Sequence, residues 1–525
     1  MSAVAPCASA PDAASPAGNR ALRIALLLVA CLVYVGIALT SPGYDDEFYN
    51  IALIDSGRPL SAVLAYTQHW DVLPPGQYVL DALLHALLGS WSLARAAGAL
   101  FCALVLVRFA GLERRDGAGM MLLHFALVVL HPTLLMWCTG LRWSTWLVPV
   151  FLLAILWIRR DTSSRWHFWP VLAALSLALL YLHYTALLLV PLLVLLAVYR
   201  RRERLRQEWP AILIAGLAAT PFALFQLWFL LAYQIHIGSV HDYVTGVRGA
   251  AFAGVALGLM VHAGVFPVSI LGIATLAVFA LLATRLGWRH RALLARDPEL
   301  WLIVGAVLLM VATGLSGKPR DLVMLVPLVF ARIVPLLERT PDRIGLVLAW
   351  LLATSNLAGT VNVARHADTV KGSWNLPVTE TIAAVRAAAA NCGAATPVIA
   401  ALDPVLAGNL AAHTPYVVIP ARPLGAPMPM VRDGDYCLLQ VRTARGSIPG
   451  ASWAAIQRRF PAPIAPPLRI GPDPDIAAKR LVDPDLPDHY VELVAYGRMR
   501  RVPDYLNLIE RRRRGVALGR KAAFD

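Results

Sequence analysis

The chain has 525 residues, 58% of them hydrophobic and only 15% charged, with a formal net charge of +15. Length alone would allow about three soluble domains, but so few charges exclude that reading and point to a chain for lipid. The positive balance calls for no nucleic-acid partner, because basic loops and a basic tail account for it.

Residues 1–20 form an Ala/Pro/Ser-rich leader, expected to be a disordered N-terminus. From residue 21 to 362, apolar runs of roughly 17 to 25 residues recur between short polar loops. They predict an all-α polytopic membrane domain of about eleven transmembrane helices. Residues 24–39 run into an acidic loop, so they are expected to remain as the first span rather than to be cleaved as a signal peptide. Arg and Lys resist translocation, and their distribution orients the spans. One set of loops holds Arg114 and Arg115, then Arg159, Arg160 and Arg165, then Arg200, Arg201, Arg202, Arg204 and Arg206, then Arg285, Arg289, Arg291 and Arg296, then Arg339 and Arg343. These are expected to be cytoplasmic. The alternate loops hold only Arg58, Arg142, Arg248, Lys318 and Arg320, and should face outward. The N-terminus is then inside, and residues 363–525 lie outside.

The first outer loop, 41–92, is the longest. In "DDEFYNIALIDSG", Phe48, Ile51 and Ile54 recur at helical spacing and predict a short amphipathic helix on the membrane surface. "LPPGQYVLDALLHALLG" follows, a Pro-Pro start with apolar residues on a helical period and with Asp81 and His85 four apart on one face. It predicts a second surface helix or half-span before the span that begins at Leu93. Beyond 363 the pattern changes to a small α/β domain: a helix in "VTETIAAVRAAAANCG" closed by Gly393, a strand "PVIAAL", a helix "DPVLAGNLAAH" with Pro404 in its first turn, a strand "YVVI" and a further strand in "GDYCLLQV". "PAPIAPPLRIGPDPD" is expected to be a connector with little regular structure. The basic "ERRRRG" near the C-terminus is expected to meet anionic headgroups. Six cysteines are too few for a disulfide scaffold. Cys392 and Cys437 fall in the exported tail, where a disulfide and a pair of buried thiols both stand open.

No phosphate-cradling GxxxxGK[ST] loop, no GxGxxG between strand and helix, no HExxH and no CxxC occurs, so nothing points to a nucleotide-driven pump. Carboxylates within the spans are sparse. Acidic and basic residues gather instead at the outer span ends, which predicts a cleft there. One wall holds Asp45, Asp46 and Glu47, with His69 and Asp71 further along the loop; the other holds Arg142, His183, Lys318 and Arg320. A carboxylate opposite cations suits sugar transfer from a lipid phosphate. The base takes the proton of the acceptor hydroxyl as it attacks the anomeric carbon, and the cations stabilise the departing phosphate.

An Asp-Glu pair after the first span, a Pro-Pro surface helix ending in Gly and then "SLARAAGAL" entering the second span together resemble the membrane-embedded glycosyltransferases of the GT-C superfamily, among them bacterial relatives of protein O-mannosyltransferases and of the lipid A aminoarabinose transferase. "GKPRDLVMLVPLVF" resembles that family's late segment. The likeness implies Asp46 as the catalytic carboxylate with Glu47 beside it, and Arg142, Lys318 and Arg320 on the phosphate of a polyprenyl-phosphate sugar. It also implies a bacterial inner membrane, a lipid, glycan or protein acceptor and no certain cofactor. The chain departs from the family at Leu73, where a His usually precedes the two prolines, and at Asp321, where a Tyr usually follows the Arg.

Each residue also has a plainer role. Asp45, Asp46 and Glu47 suit a helix start as caps, Arg142 and Lys318 suit interfacial anchors, and His183 suits a satisfied buried histidine. His236 and His241 flank a polar loop where a divalent cation is weighed, without a paired carboxylate at ligand spacing. An O-antigen polymerase or ligase and a lipid-linked glycan flippase are the rival functions.

Overall fold

The computed structural model describes residues 16–41, 47, 51, 54, 60–61, 64, 74–112, 117–160, 164–232, 270–313, 319–339, 342–364, 376–401, 404–420, 435–443, 463–471 and 491–499. In lipid the backbone must satisfy its own hydrogen bonds, so the apolar runs are helical. They form α1 (Pro16–Thr40), α2 (Gly76–Leu88), α3 (Trp91–Ala110), α4 (Ala118–Val128), α5 (Pro132–Cys138), α6 (Trp143–Ile158), α7 (Arg165–Leu182), α8 (Ala186–Arg200) and α9 (Leu205–Ala232). Then come α10 (Ile270–Arg289), α11 (Arg291–Leu294), α12 (Pro298–Thr313), a 3₁₀ turn (Pro319–Leu325), α13 (Val326–Phe330), α14 (Ile333–Arg339) and α15 (Arg343–Ala364). Among the described residues five helices are long and apolar enough to cross a membrane, or six if the bent α4–α5 pair is one span, with α6, α8 and most of α12 as shorter apolar helices. The chain is thus a multi-pass, largely α-helical membrane protein.

The segment after the Pro-Pro pair is α2, as the sequence predicts, and Gly89 closes it at φ 67° with its N–H donating to the His85 carbonyl at 2.8 Å. Glycine bears that left-handed conformation at no steric cost.

α4 and α5 meet at 49°, where Pro132 has no N–H to give and the helix must break. His131 caps the restart, its Nδ1 accepting from the Thr133 N–H at 3.3 Å. The carbonyls freed by the break are met from other helices. Tyr34 Oη of α1 donates to Val129 O at 2.9 Å, Asn356 Nδ2 of α15 to Ala126 O at 3.1 Å and Thr360 Oγ1 to Leu130 O at 2.8 Å. The polar positions of α1 and α15 therefore lock a broken span into the bundle.

One end of the bundle is rich in arginine and closed by ion pairs. Glu299 of α12 accepts from Arg159 Nε at 2.9 Å and Nη2 at 2.7 Å, from Arg200 at 3.0 Å and from Arg332, which also reaches Asp297 at 2.8 Å. Arg201 pairs with Glu208 and lies 3.8 Å over the Phe168 ring, while Trp169 donates to the same carboxylate at 2.9 Å. Arg285 and Arg289 hold Asp342, whose carboxyl is lowered to about 2 chiefly by the Arg285 hydrogen bond. Exposed Trp166, Trp209, Trp288 and Trp301 ring this end, as an aromatic belt does at a membrane interface.

The tail folds as a five-stranded sheet with α16 (Val378–Ala390) and α17 (Pro404–His413). Its strands are β1 (Thr396–Ala401), β2 (Val417–Pro420), β3 (Tyr436–Thr443), β4 (Leu468–Ile470) and β5 (Val491–Met499), in the order β2-β1-β3-β5-β4. β1 pairs in parallel with β2 and β3, and β5 runs antiparallel to β3 and β4. Cys392 and Cys437 form a disulfide across 45 residues, tying the end of α16 to β3. The sequence expectation for the Pro-rich connector is corrected at Leu468–Ile470: three residues pair at the sheet edge, too short a run for any period to show. Ile51, Ala94 and Leu141 from the membrane part share the apolar core of this tail, so the small domain sits on the end of the bundle opposite the arginines.

Candidate functional site

At that opposite end the chain returns from α5 into α6 through "CTGLRWST" (138–145), a turn braced by its own hydroxyls. Thr139 Oγ1 donates to Leu135 O at 2.7 Å, Ser144 Oγ to Trp137 O at 2.5 Å and Thr145 Oγ1 to Gly140 O at 2.5 Å. The turn presents Arg142 at the start of α6, 3% exposed, with its guanidinium 5.6 Å from the centroid of the Trp137 ring.

Gly140 makes room for Glu47. A Cβ at Gly140 would overlap the Glu47 carboxylate, and its next near neighbour would be the Arg142 side chain. Glu47 is itself buried and ion-paired with Arg95 of α3. Arg95 also donates to Ala38 O in the last turn of α1 at 3.2 Å and to Ser41 O just beyond it at 2.7 Å, where a cation complements the helix dipole. One guanidinium thus ties the exit of α1, Glu47 and the entry of α3 in a single joint.

α2 closes the joint from the side. A Cβ on Gly76 would overlap the Tyr181 carbonyl at the end of α7, so only glycine permits this approach. Gln77 Nε2 donates to Leu141 O at 3.0 Å and to Asp81 Oδ2 at 3.3 Å, and Trp146 Nε1 donates to Asp81 Oδ1 at 3.2 Å. Asp81 is fully buried, and burial pushes its carboxyl up to about 7 against the pull of the Trp146 and Gln77 donors, with the Glu47 charge adding to the rise. His183 follows α7, its Nδ1 2.9 Å from Thr185 Oγ1 and its ring stacked on Trp143 with centroids 4.0 Å apart. From the tail, α17 ends close by. Partial burial, then the charges of Arg95 and Arg386, hold the His413 imidazole below its usual pKa.

Of the residues singled out from sequence, the structure gathers Glu47, Arg142 and His183 around this joint. Asp45, Asp46, His69, Asp71 and Lys318 lie outside the described residues, as do His236 and His241, and of Arg320 only the backbone, in the 3₁₀ turn, is described. Among the described residues no group of three or more His, Cys, Asp or Glu side chains is placed to hold a metal ion. Sequence reasoning missed the roles of Arg95, Gln77 and Trp146. Arg95 carried a legible signal, a lone cation inside the apolar "SLARAAGAL", since charge within a span needs a named partner. Asp81 and His85 share a helix face but have separate surroundings, because His85 stacks on Trp91 with centroids 4.0 Å apart.

Chemically, the joint sets a buried carboxylate beside two arginines, with a second, proton-holding carboxyl behind it. Such a site can orient a reacting group and stabilise developing negative charge.

No protein-family model and no curated protein matches the sequence. Among solved structures the chain is similar to the crystal structure of ArnT from Cupriavidus metallidurans bound to undecaprenyl phosphate, with 14% identity and a TM-score of 0.55, over 93% of this chain and 100% of that one. Identity that low shows the fold alone, and the fold is an ArnT-like polytopic, largely α-helical membrane architecture with a small C-terminal α/β domain.

Proposed function

We propose that the chain is a glycosyltransferase that moves a sugar from a polyprenyl-phosphate carrier to a lipid, glycan or protein acceptor at the periplasmic face of a bacterial inner membrane. The carrying observation is the buried Glu47–Arg95 pair seated against the Gly140–Arg142 turn. It places Glu47 at the end of the bundle where few cations occur in sequence. Asp46 is the residue immediately before Glu47 in the sequence.

In this reading Asp46 is the base and Glu47, locked by Arg95, positions it. The acceptor oxygen forms a bond to the anomeric carbon as the bond from that carbon to the phosphate oxygen breaks. The electron pair leaves with the polyprenyl phosphate, and the hydroxyl proton passes to the Asp46 carboxylate. Arg142, Lys318 and Arg320 meet the phosphate. The likeness to a carrier-bound ArnT supports this class of donor, and the donor sugar and acceptor follow from the experiment.

That experiment is mass spectrometry of envelope glycolipids and glycans from a deletion strain complemented with wild type or with Asp46→Asn. Loss of one sugar mass on deletion, restored by wild type and not by the variant, is the expected result. Base catalysis is typically worth about 10²- to 10⁴-fold, so full restoration by Asp46→Asn would sink the assignment and bring the flippase reading forward.

A further inference from the structure

At the arginine-rich end, α8 and α12 run side by side and open into a groove of about 440 Å³. From α8 it takes Leu192, Leu195 and Tyr199, three and seven residues apart on one helix face, and from α12 Pro298, Trp301 and Leu302. Its narrow end lies where the two helices touch, for a Cβ on Gly305 would come within 3.2 Å of Leu192 Cδ2. From Leu192 to Tyr199 α8 rises about 10 Å, and along that length Leu195 and Trp301 are 62% and 60% exposed, which leaves the groove open on its outer side. Trp301 Nε1 donates to Ala295 O at 2.9 Å and so fixes the indole at the rim. Arg296 lines the wide end and is exposed, while the Asp297 carboxylate beside it is engaged by Arg332 at 2.8 Å. Arg202, just past α8, folds back with its guanidinium 4.8 Å from the centroid of the Tyr199 ring. Its ion pair with Glu203 is long, at 3.9 Å between side chains 58% and 87% exposed, and such a surface pair is worth little. The groove therefore carries leucines toward its narrow end, two aromatic rings at its rim and two arginines at its mouth.

We infer that this groove binds an anionic membrane phospholipid, with its phosphate at Arg296 and Arg202 and one acyl chain along Leu192, Leu195 and Leu302. Guanidinium forks match phosphate oxygens in pairs, and basic side chains at a membrane surface attract anionic headgroups. Tyr and Trp sit at the headgroup level, so the order of arginine, aromatic ring and leucine along the groove matches the order of phosphate, interface and acyl chain along a phospholipid. Inorganic phosphate would use the arginines and leave the leucines without a partner, and a neutral lipid would fill the leucine trough and gain nothing from the arginines. The groove lies at the opposite end of the bundle from the Glu47–Arg95 joint, and the inference stands without the proposed activity.

The test is photo-crosslinking of the full chain in phosphatidylcholine nanodiscs that hold a trace of phosphatidylglycerol or of phosphatidylcholine with a diazirine on one acyl chain, the labelled peptides being mapped by mass spectrometry. An arginine at a membrane surface is worth about 5-fold in anionic lipid, so the phosphatidylglycerol probe should label α8 and α12 along the groove about 5- to 30-fold more than the phosphatidylcholine probe. Arg296→Gln should lower that preference about 5-fold, and Arg296→Lys should keep most of it. Arg343→Gln, at the start of α15, should leave it unchanged, and inorganic phosphate in excess should not displace the probe. Arg296 and Arg343 are both exposed, so these variants leave the core intact. Equal labelling by the two probes, an unchanged preference in Arg296→Gln or displacement by inorganic phosphate would each overturn the inference. So would an equal fall in Arg343→Gln, which would assign the preference to the charge of the whole arginine-rich end rather than to the groove.

Discussion

The Glu47–Arg95 pair makes a demand on stability that can be measured in a cycle of variants. Its carboxylate is 3% and its guanidinium 11% exposed, so neither charge has water to fall back on. Arg95→Met leaves the Glu47 carboxylate buried without its cation, a change worth about 3 to 5 kcal/mol. It also strips Ala38 O and Ser41 O of a donor, at about 1 kcal/mol each. Glu47→Gln is milder, at about 1 to 2 kcal/mol, because Arg95 keeps both carbonyls and an amide oxygen still accepts from it. The double variant removes both charges and should be about 2 kcal/mol more stable than Arg95→Met alone, since no unpaired carboxylate remains. In a chain of this size each kcal/mol moves the melting midpoint by roughly 2 °C. Thermal unfolding in one detergent at pH 7 should therefore show Arg95→Met about 10 to 14 °C below wild type and the double variant several degrees above Arg95→Met. A double variant as unstable as Arg95→Met would show that the guanidinium serves only the carbonyls of α1, and that Glu47 owes nothing to it.

Asp81 titrates near 7, above its ordinary value, so the folded state holds its proton. The stability tied to that proton is complete below about pH 4 and is lost as pH rises through 7. Wild type should lose up to about 1.4 kcal/mol for each pH unit between about 4 and 7 relative to Asp81→Asn and little more above 7, and parallel pH profiles of the two melting curves would refute this. Asn356→Leu should cost about 1 to 3 kcal/mol by orphaning carbonyls at the α4–α5 break, read as a lower melting midpoint. The Cys392–Cys437 bridge closes a 45-residue separation, worth about 4 kcal/mol to the tail. In denatured, unreduced membranes both thiols should resist maleimide and react only after reduction, whereas reaction without reductant would place the tail in a reducing compartment.

What was legible followed from periodicity and from residues with strong local rules. The Pro-Pro start and Gly89 announce α2, Gly393 ends the first tail helix with φ 62°, and the tail strands as far as β3 show as short apolar runs. The site was legible only in part. Arg142 and His183 stand out because polar residues at span ends are few, but their grouping with Glu47 depends on Gly76 and Gly140, which act by lacking a side chain. A close approach of that kind leaves no pattern in composition. Gln77 and Trp146 likewise look like ordinary helix residues until α2 and α6 pack side by side. The bend between α4 and α5 is written at Pro132, yet the residues that repair it, Asn356 and Thr360, lie more than two hundred positions away.

The two ends of the bundle handle buried charge differently, and the contrast favours a functional joint. Arg201 and Glu208 are 3% and 5% exposed, and the pair is closed on itself: Trp169 meets the second carboxylate oxygen and Phe168 covers the guanidinium. That arrangement needs nothing more to be a stable strut. Around Glu47 the accounting does not close. Tyr78 Oη and Gln77 Oε1 are buried on α2 without a hydrogen-bond partner among the described residues, beside a carboxyl that holds its proton through burial. A buried polar atom left unmatched costs about 1 to 3 kcal/mol, and native proteins leave few of them. A joint needed only for packing could be filled with apolar side chains at no loss of stability. Polar atoms unmatched among the described residues, gathered beside two arginines and two carboxyls, fit a polar molecule entering there, as the proposed transfer requires.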